Sequence, residues 1–499
     1  MPMYDRAPRP PEWRPRLPGR RTGSVYVALA DALARDIQDG LLAPGTRLPS
    51  RRALAALLGV NLTTISRAFD EARRRGLVAG RAGRGTIVIG RPTHATPAPS
   101  LDRGARGKEV SDAFVDLTFN TPALPAEARV EEHLATALMA LARNRATLRD
   151  HTGYQPTGGT EADRRTGARW LDPRGVPAPL ERVLVCAGAQ HALAVALYTI
   201  ARPGDTVLCE TVTYPTFKAL AAAYGVRLAP VGMADGILDP DALDRACAGH
   251  RATALFCMPT AQNPTAAVMP LARRRELAAV VRRHRLTVIE DDIYAPLLPD
   301  APPALASLVP ELTWYITGVS KALTPGLRVG YLVAPSDAAA MAATSTLRTS
   351  MWMAPPLDAA VVTQWVANGT AAQMTRALRD EAALRQALAR RALGPRKRPA
   401  SGTGPRRSSA VWHLWLTLPA DIRSAAFAEA LRRRGVGVSP SDVFAVAAGA
   451  PAVPSELPGP PNAIRLCLGG AVDKATLLRA LEVVRGLLEQ PHEVEPTLI

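Results

Sequence analysis

The chain has 499 residues, 47% hydrophobic and 21% charged, a balance that reads as globular, excludes a disordered chain and leaves room for more than one domain. No apolar run is long enough to cross a bilayer, and the Pro- and Arg-rich start, Met1 to Arg21, lacks the apolar stretch of a secretory signal, so a cytoplasmic protein is expected. The net charge is +17, yet only five of the 61 basic residues are lysine, and residues 1–90 hold 16 arginines against 7 acidic residues; that concentration points to a polyanionic partner near the N-terminus.

Residues 1–21 read as a basic, disordered arm. A helix is predicted from Val25 to Gln38, with Val25, Leu29, Ala32, Leu33 and Ile37 on one face, and Gly40 stops it. Ser50 is placed to cap a second helix, Arg51 to Leu58, ended by Gly59, and Asn61 a third, Thr63 to Arg75, ended by Gly76. Leu77-Val78 and Thr86 to Ile89 read as strands around a glycine-rich tip, so residues 22–90 form a winged helix-turn-helix. Residues 91–112, rich in Pro, Thr, Gly and charge, read as a linker. From about Ala113 to the C-terminus, short apolar runs alternate with helical ones. The strands predicted are Val183–Cys186, Thr206–Cys209, Ala254–Cys257, Thr287–Glu290 and Trp314–Ile316. This is the rhythm of a mostly parallel α/β sheet covered on both faces. A basic loop, 394–409, leads into a smaller α+β region beginning with the apolar run Val411–Leu416. The five cysteines (Cys186, Cys209, Cys247, Cys257, Cys467) are scattered, with no CxxC pair and no metal spacing, so reduced thiols and no metal site are expected.

The stretch Leu48–Val60 (LPSRRALAALLGV), with Thr63-Thr64, Gly76-Leu77-Val78 and Gly83 to Thr86, resembles the DNA-binding domain of the GntR family. A helix after a tight turn enters the major groove with its first residues near base edges. Thr63 and Thr64 offer hydroxyls and amides there, and Arg67 lies one turn further on. Arg81 and Arg84 stand in the wing, where glycines let the backbone approach a minor groove. The resemblance implies that Arg52 contacts DNA. Where many relatives have Ser/Thr-Arg, this chain has Asn61-Leu62, which removes a base-reading arginine and makes Asn61 a candidate adenine reader. The run Arg73-Arg74-Arg75 is read as a solvated helix end that complements the dipole.

Lysine scarcity makes Lys321 conspicuous, in Thr317–Tyr331 (TGVSKALTPGLRVGY). The segment resembles the lysine segment of fold-type I aminotransferases, and the order of motifs resembles the MocR subgroup of GntR regulators over nearly the whole chain. That resemblance implies a winged helix joined to a domain that binds pyridoxal 5'-phosphate, and a homodimer reading paired half-sites in operator DNA. Lys321 is then the amine for the cofactor aldehyde. Asp291, in TVIEDDIY, is the carboxylate for the pyridine nitrogen, at a strand end where ligands collect. Gly188, Ala189 and Gln190 offer helix-start amides to phosphate, Arg328 a bidentate cation, and Ser320 a hydroxyl. By resemblance, Tyr294 and Asn263 donate to the ring oxygen, Tyr214 stacks on the ring, Tyr154 reaches the neighbouring subunit's phosphate, and Arg465 clamps an effector carboxylate. Two departures stand out: Gly318 replaces a Ser or Thr that contacts phosphate, with Thr317 one place earlier, and Asn120 replaces a glycine that helps bind substrate. Two functions follow from these residues. One is a regulator sensing an amine or amino acid through exchange of the Lys321 aldimine; the other is a working aminotransferase with an appended DNA-binding domain.

Overall fold

A computed structural model describes residues 13, 15, 25–38, 41–42, 46–74, 77–81, 85–88, 114–249, 251–394, 406–407, 410–446, 461–490 and 494. The chain divides into two units, Met1–Ala98 and Pro99–Ile499, with the division inside the stretch read as a linker. The linker itself, most of the arm, most of the 394–409 loop, and Gly40, Arg75, Gly76, Gly83, Arg84 and Ile89 lie outside the described residues.

The first unit is three helices and a hairpin: α1 (Val25–Gln38), α2 (Arg51–Leu58), α3 (Leu62–Arg74), β1 (Val78–Arg81) and β2 (Gly85–Val88). The caps explain the boundaries. Ser50 accepts the Ala53 amide at 3.1 Å, and Gly59 ends α2 with φ 62°, a conformation that favours glycine. Asn61 Oδ1 accepts the Thr63 amide at 3.1 Å, and α3 begins one residue earlier than the sequence pattern predicts. Leu29, Leu33, Leu54, Ile65, Phe69 and Val88 form the buried core, and the hairpin pairs Val78 with Val88. Trp13, inside the stretch read as a disordered arm, packs against this core and donates its indole N–H to Asp36 at 2.6 Å.

The second unit is built on a seven-stranded sheet of β3 (Val183–Cys186), β4 (Thr206–Glu210), β5 (Arg227–Val231), β6 (Ala254–Cys257), β7 (Thr287–Asp291), β8 (Thr313–Gly318) and β9 (Gly330–Val333), in the order β3-β9-β8-β7-β6-β4-β5. Six strands run in one direction; β9 is antiparallel to both β3 and β8. Neither β9 nor β5 is among the strands predicted from the sequence. Alternate residues feed two cores: Phe256, Ile289, Trp314 and Ile316 pack into one, and Val183, Val185, Tyr315 and Tyr331 into another. Burial on both faces is why these strands read as continuous apolar runs. A smaller three-stranded antiparallel sheet follows, of β10 (His413–Thr417), β11 (Ser439–Pro440) and β12 (Ala463–Cys467), in the order β10-β12-β11. Its first strand begins two residues later than the apolar run Val411–Leu416 indicates. Among the described residues no helix is long and apolar enough to cross a membrane. The five cysteines are free, all buried except the half-buried Cys247.

Candidate functional site

The carboxyl ends of five parallel strands deliver most of the chemistry-bearing side chains to one region, as expected of an open α/β sheet. Asp291 ends β7, and Lys321 follows β8, the adjacent parallel strand. Asp291 is buried and accepts the Ile293 amide on Oδ1 at 3.2 Å; burial pushes its carboxyl up to about 7. Its neighbour Asp292 has a different occupation, paired with Arg174 at 3.0 Å and with the Tyr315 hydroxyl at 2.8 Å. The Lys321 ammonium donates to the main-chain carbonyl of Asn120, and Trp412 Nε1 donates to the Lys321 carbonyl at 2.9 Å. Burial pushes the Lys321 amine down to about 8, which raises the fraction present as a free nucleophile near neutral pH.

Around this pair lies a polar cluster drawn from both sheets. Tyr294, three residues beyond Asp291, is buried, and its hydroxyl accepts Asn120 Nδ2 at 2.5 Å. His413, on β10, lies with Nδ1 3.3 Å from the same amide nitrogen and Nε2 3.2 Å from the Gln262 carbonyl. Burial pushes His413 down to about 3, so the ring is neutral. Arg465, on β12, donates to Asn263 Oδ1 at 2.8 Å and to the Thr118 carbonyl at 2.8 Å, and its guanidinium lies 4.7 Å from the Phe444 ring. It is buried, its Nε has no partner, and among the described residues it forms no ion pair. A buried cation without a counter-charge is costly, and an anion beside it would offset that cost.

The opposite end of the cluster is the start of α4 (Ala189–Ile200). Gly188 precedes it with φ 85°, and a Cβ there would stand 2.7 Å from Arg328 Nη2. Only glycine lets the Arg328 guanidinium lie against this turn, beside the first helical amides of Ala189 and Gln190, which have no carbonyl partner within the helix. Ser320 is half-buried between β8 and Lys321. Thr317 does not supply the hydroxyl that Gly318 lacks: its Oγ1 donates to the Asp292 carbonyl at 3.2 Å. Gly318 is confined, since a Cβ would meet the Val329 carbonyl at 3.0 Å. Tyr214 sits half-buried at the N-cap of α5 (Pro215–Ala223), its hydroxyl raised by burial. Tyr154 is 85% exposed, its ring 5.6 Å from that of the exposed Trp352. Sequence reading did not include His413, Thr118 or Phe444; the signal available was a histidine inside an otherwise apolar strand.

In the first unit, Arg52 and Arg67 are exposed and have no side-chain partner among the described residues. Arg51 is engaged, 3.5 Å from Ser66 Oγ and 5.8 Å from the Phe69 ring centroid. Arg73 pairs with Asp70 at 2.9 Å. Thr63 is exposed and Thr64 half-buried at the start of α3. Asn61 also receives the Thr63 hydroxyl at 3.0 Å, so its oxygen serves as a cap. Arg81 lies in β1, its side chain outside the described residues, as is Arg84.

Residues 113–484 match the family "Aminotransferase class I and II", and residues 25–88 match "Bacterial regulatory proteins, gntR family". The chain belongs to the class I and II aminotransferase family and carries a GntR helix-turn-helix domain ahead of it, which is the MocR architecture. It is 27% identical to the uncharacterized HTH-type transcriptional regulator YdeF of Bacillus subtilis, over 96% of this chain and 97% of that one. It is 28% identical to the HTH-type transcriptional regulator TauR of Rhodobacter capsulatus, over 85% and 90%. The HTH-type pyridoxine biosynthesis transcriptional regulator PdxR of Corynebacterium glutamicum is 26% identical over 64% and 68%. Among solved structures, the α-aminoadipate aminotransferase LysN of Thermus thermophilus shares the fold with a TM-score of 0.66 at 23% identity, covering 77% of this chain and 94% of that one.

The fold implies dependence on pyridoxal phosphate, and the residues present fit that group. The Gly188 turn with Arg328 fits a phosphate, and the buried Asp291 carboxyl, with one amide partner, fits a protonated ring nitrogen. The Lys321 amine, three residues beyond the adjacent strand, fits an aldehyde.

Proposed function

We propose that this chain is a pyridoxal-phosphate-dependent transcription regulator that binds operator DNA as a homodimer in the cytoplasm and senses an amine or amino-acid effector. The observation that carries the reading is the Lys321–Asp291 pair, Asp291 ending one strand and Lys321 following its parallel neighbour, in a chain whose GntR unit exposes Arg52 and Arg67 with no side-chain partner among the described residues. When bound, pyridoxal phosphate supplies an aldehyde that condenses reversibly with primary amines. Lys321 is the chain's own amine for it, and an effector amine competes with Lys321. Asp291 holds the proton of the ring nitrogen, while Tyr294 and Asn263 face the ring oxygen and Tyr214 the ring. Gly188, Ala189, Gln190, Ser320 and Arg328 hold the phosphate, Tyr154 reaches the partner subunit's site, and Arg465 binds the effector's anionic group. The DNA contacts are assigned to Arg52, Asn61, Thr63, Thr64, Arg67, Arg81 and Arg84, with the domain limits 1–21, 22–90, 91–112 and 113–499.

The test is borohydride reduction of the cofactor-supplied protein followed by peptide mapping. A pyridoxyl-phosphate adduct on the Lys321 peptide, lost in Lys321→Ala, together with amine-dependent binding to upstream DNA, supports the reading. No adduct in folded protein overturns it. A second reading, an active aminotransferase carrying a DNA-binding domain, draws on the completeness of the Lys321–Asp291 pair; it requires multiple turnovers with an α-keto acid acceptor.

A further inference from the structure

Asn120 occupies the centre of the polar cluster, and its orientation is fixed by its neighbours. His413 Nε2 faces the Gln262 carbonyl at 3.2 Å, so in the neutral ring that nitrogen carries the hydrogen and Nδ1 is an acceptor. The atom opposite Nδ1 must then be a donor, which is the Asn120 amide nitrogen at 3.3 Å. The second hydrogen of that nitrogen goes to the Tyr294 hydroxyl oxygen, leaving the Tyr294 O–H free to donate elsewhere. Both amide hydrogens are thereby committed. The carboxamide oxygen, Oδ1, is buried and has no hydrogen-bond partner. An unmet buried acceptor is rare in a folded protein and calls for a ligand or water. The main-chain oxygen of the same residue holds the Lys321 ammonium. Two residues earlier the Thr118 carbonyl holds Arg465, whose Nε is also unmet.

We propose that Asn120 determines effector specificity: its carboxamide oxygen accepts a hydrogen bond from a second N–H or O–H group on the amine effector, while its nitrogen positions Tyr294 and His413. This rests on reading the site as an amine sensor. The effector class is an amino acid carrying a hydroxyl or a further nitrogen donor, in preference to its plain aliphatic counterpart.

The test uses the full-length, cofactor-loaded protein and pairs of probes that differ by one hydroxyl: L-serine with L-alanine, L-threonine with L-2-aminobutyrate, and 4-amino-3-hydroxybutyrate with 4-aminobutyrate. Each is titrated against the absorption of the bound cofactor. In the wild type the hydroxylated member of at least one pair binds about tenfold tighter. Asn120→Leu, which keeps the bulk, and Asn120→Gly, which removes it, bring that ratio to within about twofold of one by weakening the hydroxylated member. Wild-type ratios near one in every pair, the absence of a response to any probe, or a ratio unchanged in both variants overturns the proposal. Loss of cofactor absorption from both variants with the fold intact also overturns it, since Asn120 would then hold the cofactor. Failure of the wild type to acquire cofactor absorption overturns the sensor reading, and this proposal with it.

Discussion

Asp292 meets a guanidinium and a phenol, whereas Asp291 beside it is buried with a single amide for company. The first arrangement is structural; the second leaves a carboxyl whose ionised form is disfavoured until a cation arrives. The consequence for stability has a definite sign. In the cofactor-free protein the Asp291 carboxyl is raised to about 7 from an ordinary value near 3.8. Its contribution is therefore fully present below about pH 4 and is lost as pH rises through about 7. Asp291→Asn is expected to match the wild type near pH 4 and to be the more stable protein at pH 8, by about 4 kcal/mol at most. The same variant is expected to lose cofactor readily at pH 8. Melting of the cofactor-free proteins across this range, beside a cofactor titration, measures both; a wild type that melts higher than the variant at pH 8 contradicts the assignment.

At the scale of elements, the sheet positions the phosphate-binding turn through glycine contacts. Gly330 on β9 backs directly onto Gly188, where a Cβ would stand 2.4 Å from a backbone carbon. Gly330→Ala must displace the start of α4, so we expect about 2–3 kcal/mol of destabilisation and about tenfold weaker cofactor binding, read by melting temperature and titration. In the winged helix, the exposed Arg52 and Arg67 contrast with the engaged Arg51 and Arg73. Replacing Arg52 or Arg67 by Ala is expected to lower the salt slope of binding to a random duplex by about 1 each. Arg73→Ala leaves the slope nearly unchanged. Much of this organisation is legible in the sequence. Ser50 and Gly59 mark the ends of α2 because caps are local chemistry, and the five predicted strands stand out because both their faces are buried. Strand β9 escapes notice because its Gly330 and its position after the Lys321 loop read as a continuation of that loop. Asn120 and His413 are 293 residues apart and meet only through the tertiary fold, so no spacing rule links them. The Asp291–Lys321 pair is legible because Asp291 ends one apolar strand and Lys321, a rare lysine, follows shortly after another.

At the scale of the whole molecule, one chain carries a GntR helix-turn-helix unit and an aminotransferase-type unit, and regulation requires a free-energy coupling between them. Such coupling is reciprocal: an effector that changes DNA affinity by some factor has its own affinity changed by DNA by the same factor. The homodimer proposed above would present two winged helices to paired half-sites. The regulator reading then predicts that titrating an amine effector into the cofactor-loaded protein gives apparent affinities differing by about 5- to 150-fold with and without saturating operator DNA. The same factor must appear in the DNA titration with and without the amine. The alternative, an aminotransferase tethered by an independent DNA-binding domain, predicts a factor of one in both directions, because a ligand with equal affinity for two states shifts neither. Paired absorption and fluorescence-anisotropy titrations on the full-length protein separate the two readings. Unequal factors in the two directions would mean that more than one binding equilibrium, such as dimer dissociation, changes with ligand.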